Sequence, residues 1–211
     1  MYIIILLILI IPLESLAEPI CLSPNEGKTI EEIIKSHKIQ ESELLARLAY
    51  AEGKSTGFPD DPLVYKGIAW GVMNRVRLSK ASINMEKVFG KGISGVIFKK
   101  GQFNPAISKR SQFSKDFLCP DNVERFAIVQ KIAEEAIIGE NNPFIQTAWE
   151  KEHNISLVVN FYYPSSIQAK GTLAPWEKNK NLQFIGDINI YDKILSAKKI
   201  RFYRLSIPPF K

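Results

Sequence analysis

The sequence has few of the residues that most metal, redox and thiol chemistries need. Of 211 residues, two are histidine and two are cysteine. With only His37 and His153 available, a His-rich zinc site is poorly supplied with ligands, and the pattern predicts no cofactor. Long hydrophobic runs are missing too. The longest, Tyr2 to Ile11, is too short to cross a bilayer core as a helix, which takes roughly 20 residues. It is followed by Pro12 and by Ser15-Leu16-Ala17, the order of an export signal whose small-residue cleavage site follows Ala17. The positive stretch that usually opens such a signal is absent, which leaves a retained anchor as the alternative. Repeats and low-complexity segments are also lacking.

What is present is an ordinary globular composition, 45% hydrophobic and 24% charged. The length predicts one main domain with a sizeable core. We expect a signal over 1–17, an N-terminal extension with a short helix over 18–40, and a principal domain over 41–211. Removing residues 1–17 takes away Glu14 and no cation, and raises the net charge from +6 to +7. A basic exported chain is drawn to anionic polymers, whether nucleic acid, lipid headgroups or cell wall, or simply carries a soluble surface. In an oxidising compartment Cys21 and Cys119 either pair or persist as two buried thiols.

Capping signals place the helices. Thr29 with Glu32 forms a capping box before Ile30, Ile33 and Ile34. Asp61 followed by Pro62 opens a helix that buries Val64, Ile68, Val72 and Val76. Asp121 with Glu124 reads as a second capping box, for a helix ending at Gly139. "SGVIFKKGQFNPA" predicts one helical turn and an irregular loop. The later chain turns to β character, with "ISLVVNFYYP", an alternating "QFIGDINIY" and a final "KIRFYRLS". Helices first and a small β part later make an α+β fold.

The stretch "LLARLAYAEG" carries the chemistry. Leu45, Leu48 and Glu52 recur at helical spacing, so a carboxyl shares the apolar face just before Gly53, the expected helix end. Desolvation and the negative end of the helix both favour its protonated form, and no cation lies beside it in the local register. A carboxyl kept protonated near neutral pH is what a general acid for glycosidic cleavage requires. The alternative is a glutamate reaching water at a frayed helix end.

"ELLARLAYAEG", "KGIAWGVMNRVR", "GVIFKKGQF", "NFYYP", "PW" and "IGDINIY" resemble, in that order, the catalytic domain of spore-cortex-lytic and related cell wall hydrolases. The resemblance spans about Glu41 to Tyr191. It implies a lysozyme-like fold, mainly helical with a small β subdomain toward the C-terminus, that cleaves peptidoglycan as a lytic transglycosylase. On it, Glu52 is the catalytic acid, and Gln102, Phe103, Tyr162, Tyr163 and Trp176 line the glycan cleft. Asn74 and Arg75 fall to a structural role, tying their helix to the loop near Glu52. Tyr163 stands where the family often has Asn, and Asn189 where it often has His. The implied partner is the glycan strand, not nucleic acid, with no membrane insertion once the signal is removed.

Other readings stay open. The aromatic positions also fit a plain β core. A hydrolase would need a second carboxylate, from Asp60, Asp61 or Asp116. A cysteine peptidase would be built on Cys119 and His153. A non-catalytic basic envelope protein would bind glycan or anionic polymer without cutting it.

Overall fold

The structure, a computed structural model, describes residues 18–25, 27–171 and 173–210. The expected signal over 1–17 lies outside them. Helices α1 (Ile30–Ser36), α2 (Glu41–Ser55), α3 (Pro62–Ala81), α4 (Ile83–Phe89), α5 (Gly92–Ile97), α6 (Asn104–Ile107), α7 (Ser114–Leu118), α8 (Val123–Ile138) and α9 (Ala148–His153) precede the strands. The strands are β1 (Val158–Tyr162), β2 (Leu182–Phe184), β3 (Ile188–Ile190), β4 (Lys193–Leu195) and β5 (Arg201–Leu205). The architecture is α+β. Among the described residues, no helix is long and apolar enough to cross a membrane.

The core is built where α2, α3 and α8 meet. Leu45, Leu48, Ile68, Trp70, Val72, Val129 and Ala133 are fully enclosed there, and Val76 is half-buried at its margin. Leu22, Ile30, Ile33 and Ile34 belong to the same buried cluster, so the extension packs into the body of the domain. The Thr29–Glu32 capping box starts α1, and the Asp61 side chain accepts from Leu63 N at 3.0 Å to start α3. Gly139 closes α8 in the left-handed conformation.

A disulfide joins Cys21 to Cys119. Beside it the fully buried Arg47 of α2 donates to the carbonyls of Ile20 at 2.6 Å and Leu118 at 2.7 Å. The guanidinium thus satisfies backbone acceptors on both sides of the bridge, and Glu43 pairs with it one turn earlier at 2.7 Å. Paired in this way, Cys119 has no thiolate with which to begin peptidase chemistry. His153 is also committed, stacked on Trp149 with ring centroids 4.1 Å apart.

Three local expectations change. Helix α2 does not stop at Gly53 but runs to Ser55. The glycine sits inside the helix because a Cβ there would lie 2.2 Å from the Tyr65 ring of α3. The cap of α8 is Asn122, whose side chain accepts from Arg125 N at 2.8 Å. Asp121 is drawn away to Tyr50 at 2.5 Å and Lys54 at 2.7 Å, where it gains a charged partner that a cap does not offer. The segment "QFIGDINIY" is not one strand. It breaks at Gly186, whose φ of 73° ends the extended run, and its halves β2 and β3 join different sheets.

The larger sheet has the order β1-β5-β2, all antiparallel, which makes the last strand the central one. The smaller pairs β3 with β4 across Tyr191-Asp192. Both turn residues have positive φ, as a two-residue hairpin following the strand twist requires. Sheet and helices meet where Gly71 of α3 lets the Phe161 ring of β1 approach. A Cβ at Gly71 would lie 2.8 Å from that ring.

Candidate functional site

The last turn of α2, the loop leading into α6, the α6–α7 turn and the end of β1 enclose a cleft of about 760 Å³. Glu52, Gln102, Phe103, Tyr162, Tyr163 and Trp176 all line it. Residues separated by more than a hundred positions are therefore gathered on one concave surface. Asn189 is not among them. It lies exposed on β3 of the smaller sheet.

Glu52 is the only carboxyl among the described residues that line the cleft. It is 7% exposed. Burial pushes its pKa up to about 7, and the neighbouring Tyr163 hydroxyl and Arg75 guanidinium only partly oppose that. The Tyr163 hydroxyl acts on Glu52 electrostatically, but it has no partner at ordinary hydrogen-bond geometry. A small movement or a ligand hydroxyl would complete its bonding.

Arg75 is a neighbour that local helical register does not reveal, because it comes from α3. A register irregularity in β1 between Val158 and Asn160 leaves the Val159 carbonyl for Arg75 Nε at 2.6 Å. The preceding carbonyl, Val158 O, takes Asn74 Nδ2 at 3.1 Å. Another guanidinium nitrogen of Arg75 donates to Gln102 Oε1. The "NR" pair thus ties α3 to the sheet, and Arg75 alone reaches the cleft loop. The guanidinium also lies over the rings of Phe103 and Phe161, at 5.0 and 5.2 Å from their centroids. Burial lowers its pKa to about 10, against the pull of Tyr163 and Glu52, so it remains a cation at neutral pH. The signal for this role was in the sequence, an arginine within a largely apolar stretch of helix. The strand that would receive it was not.

The hydrogen bond from Arg75 fixes the amide of Gln102. With its oxygen taken by a donor-only group, the Gln102 N–H groups are left to face a ligand. Phe103 is only 2% exposed and stacks on Phe161 with centroids 5.9 Å apart. It forms the cleft wall from within the core, so it offers no open platform for a sugar ring. Trp176 is half-buried and packs edge-on against Tyr162 and Tyr203, at 6.1 and 6.0 Å. Its indole N–H is buried without a partner.

The three aspartates considered as second carboxylates are engaged outside the cleft. Asp60 pairs with Arg125, Asp116 with Lys54 at 2.5 Å, and Asp61 both caps α3 and meets Lys199 at 2.5 Å. Among the described residues, no three His, Cys, Asp or Glu side chains gather so as to hold a metal ion. The site offers one proton-transfer group, a set of amide, hydroxyl and indole donors, and a buried cation. No protein-family model, curated protein or solved structure matches this chain.

Proposed function

We propose that this chain is an exported peptidoglycan-cleaving enzyme of lysozyme-like fold, acting as a lytic transglycosylase on the bond between N-acetylmuramic acid and N-acetylglucosamine. The observation that carries this reading is Glu52, the single cleft carboxyl among the described residues, whose pKa burial raises to about 7. The order of motifs from Glu41 to Tyr191 and the polar-lined cleft support it as well.

In this mechanism Glu52 gives its proton to the glycosidic oxygen as the bond to C1 of the muramic sugar breaks. The resulting carboxylate takes the proton of the C6 hydroxyl of the same sugar, and that oxygen closes on C1 to form the 1,6-anhydro product. Glu52 ends protonated, as it began, and no water is consumed. One carboxyl is sufficient for both steps, whereas retaining and inverting hydrolysis normally use two. Arg75 stays within electrostatic reach of the transient carboxylate and stabilises it without being a proton donor at neutral pH.

Mass analysis of the fragments released from purified peptidoglycan tests the reading. The expected fragments carry 1,6-anhydro ends, each lighter than a reducing end by one water, and Glu52→Gln releases none. Reducing ends from the pure enzyme would mean hydrolysis, and full activity in Glu52→Gln would remove the mechanism.

A further inference from the structure

The cleft holds one charged side chain that the proton-transfer scheme leaves unused. Besides Glu52 and Arg75, Arg110 is the only charged residue among those described along its lining. Arg75 is buried and spends its donors on Val159 and Gln102. Arg110 is different. It is exposed, it lines the same cleft, and its side chain makes no ion pair or hydrogen bond among the described residues.

Its backbone is nevertheless held. Arg110 lies in the turn from Ser108 to Ser111 that links α6 to α7. Ser108 N bonds Asn104 O at 3.0 Å, and Ser111 N bonds Ser108 O at 2.9 Å. Arg110 N itself donates to Ser108 Oγ at 3.3 Å. On the far side of the turn, the Ser114 hydroxyl donates to Ser111 O at 2.8 Å. A guanidinium is therefore presented from a fixed turn, flanked in the lining by Ser108, Ser111 and Gln112. Its planar fork of donors suits a carboxylate, and the neighbouring hydroxyls and amide can complete such a group's bonding.

A glycan backbone of N-acetylated sugars offers neutral hydroxyls and amides. Where the muramic sugars bear peptides, the carboxylates of peptidoglycan lie on those peptides, whose amide bond blocks the lactyl carboxyl. We propose that Arg110 is a specificity residue that binds a carboxylate of the stem peptide, so that the cleft prefers peptide-bearing glycan over stripped glycan. The proposal rests on the reading of this cleft as a glycan site.

The test measures binding by the full exported chain carrying Glu52→Gln, which holds strands without cutting them. Three soluble glycans serve as probes: strands with their peptides, the same strands with peptide carboxylates amidated, and strands stripped of peptide with the freed lactyl carboxylates amidated. Adding Arg110→Ala is expected to weaken binding of the first about fivefold, the range of a partly exposed charge pair. The other two should show no comparable loss. Arg110→Lys should recover part of the affinity, and the difference should shrink as salt rises. An equal loss for all three probes, or no loss for any, overturns the proposal. Carboxylate-dependent binding without strand cleavage by the wild type would remove the transglycosylase reading and leave Arg110 its role. Cleavage that ignores both the carboxylates and Arg110 would do the reverse. Binding of none of the probes would remove both.

Discussion

Gly53 of α2 lies flat against the ring of Tyr65 of α3, so close that a Cβ would fall 2.2 Å from Tyr65 Cε1. The Tyr65 hydroxyl donates to Pro59 O at 2.5 Å, so the ring is pinned and cannot swing aside cheaply. The residue before this contact is Glu52. The close packing of the two helices therefore sets where the carboxyl enters the cleft.

Gly53→Ala is expected to destabilise the protein, although alanine is the better helix former by roughly 1 kcal/mol. Overpacking of this kind costs about 1–3 kcal/mol, and here it opposes that propensity gain. The last turn of α2 must shift to relieve the clash, so activity should fall more than stability does. Denaturant unfolding beside a turnover assay checks both. A more stable, fully active variant would show that the ring yields.

Glu52→Gln should show a pH-dependent gain in stability. The folded-state pKa lies above the unfolded one, about 7 against the ordinary glutamate value of 4.5. The native state thus keeps a proton that the unfolded chain has released, and wild-type stability falls as pH rises through that window. The advantage of glutamine should be small near pH 4, grow between these values and level off above pH 7 at about 3 kcal/mol. Equilibrium unfolding of both proteins from pH 4 to 8.5 measures it. A difference that does not change with pH would mean the carboxyl is not held protonated in the fold.

The same proton should govern rate. In the proposed mechanism cleavage begins from protonated Glu52, so kcat/KM is expected to fall about tenfold per pH unit above its pKa near 7. Arg75→Ala removes the cation that partly offsets burial, so the alkaline limb of any residual activity should move to higher pH. A profile that stays flat to pH 9 would assign the proton to another group.

Two of the aromatic lining residues should separate cleanly. Phe103 is a core ring, and Phe103→Ala should cost the ~3–5 kcal/mol of a buried aromatic truncation. Trp176 is half-buried and faces the cleft, so Trp176→Ala should weaken turnover at a smaller stability cost. Thermal unfolding and fragment release measured on both variants decide the matter.

Reduction of the Cys21–Cys119 bridge should release the N-terminal segment first. With a sequence separation of 98 residues, the chain-entropy model assigns the cross-link ~4–5 kcal/mol. Leu22 N bonds Leu118 O at 3.0 Å, and Arg47 holds Ile20, so these contacts should loosen together. Hydrogen exchange with and without reductant should show lost protection at Leu22 and across α1 before α3.

Sequence alone determined what depends on near neighbours. The caps at Thr29 and Asp61, the end of α8 at Gly139 and the shared face of Leu45, Leu48 and Glu52 all follow from spacings of a few residues. Helical and strand periods act at that range, so these features are legible in the letters. The tertiary structure decided whatever joins distant positions. Gly53 reads as a stop until Tyr65 is seen filling the space its missing Cβ leaves. Nothing near Arg47 in the chain shows that Ile20 and Leu118 will supply its acceptors. Glu52 looks free of any cation until α3 brings Arg75 beside it, anchored on a β1 carbonyl 84 positions further along the chain. Burial and pairing are properties of assembled surfaces. A carboxyl's place on a helix is therefore written locally, and the groups that tune its proton are chosen only when the helices and sheet meet.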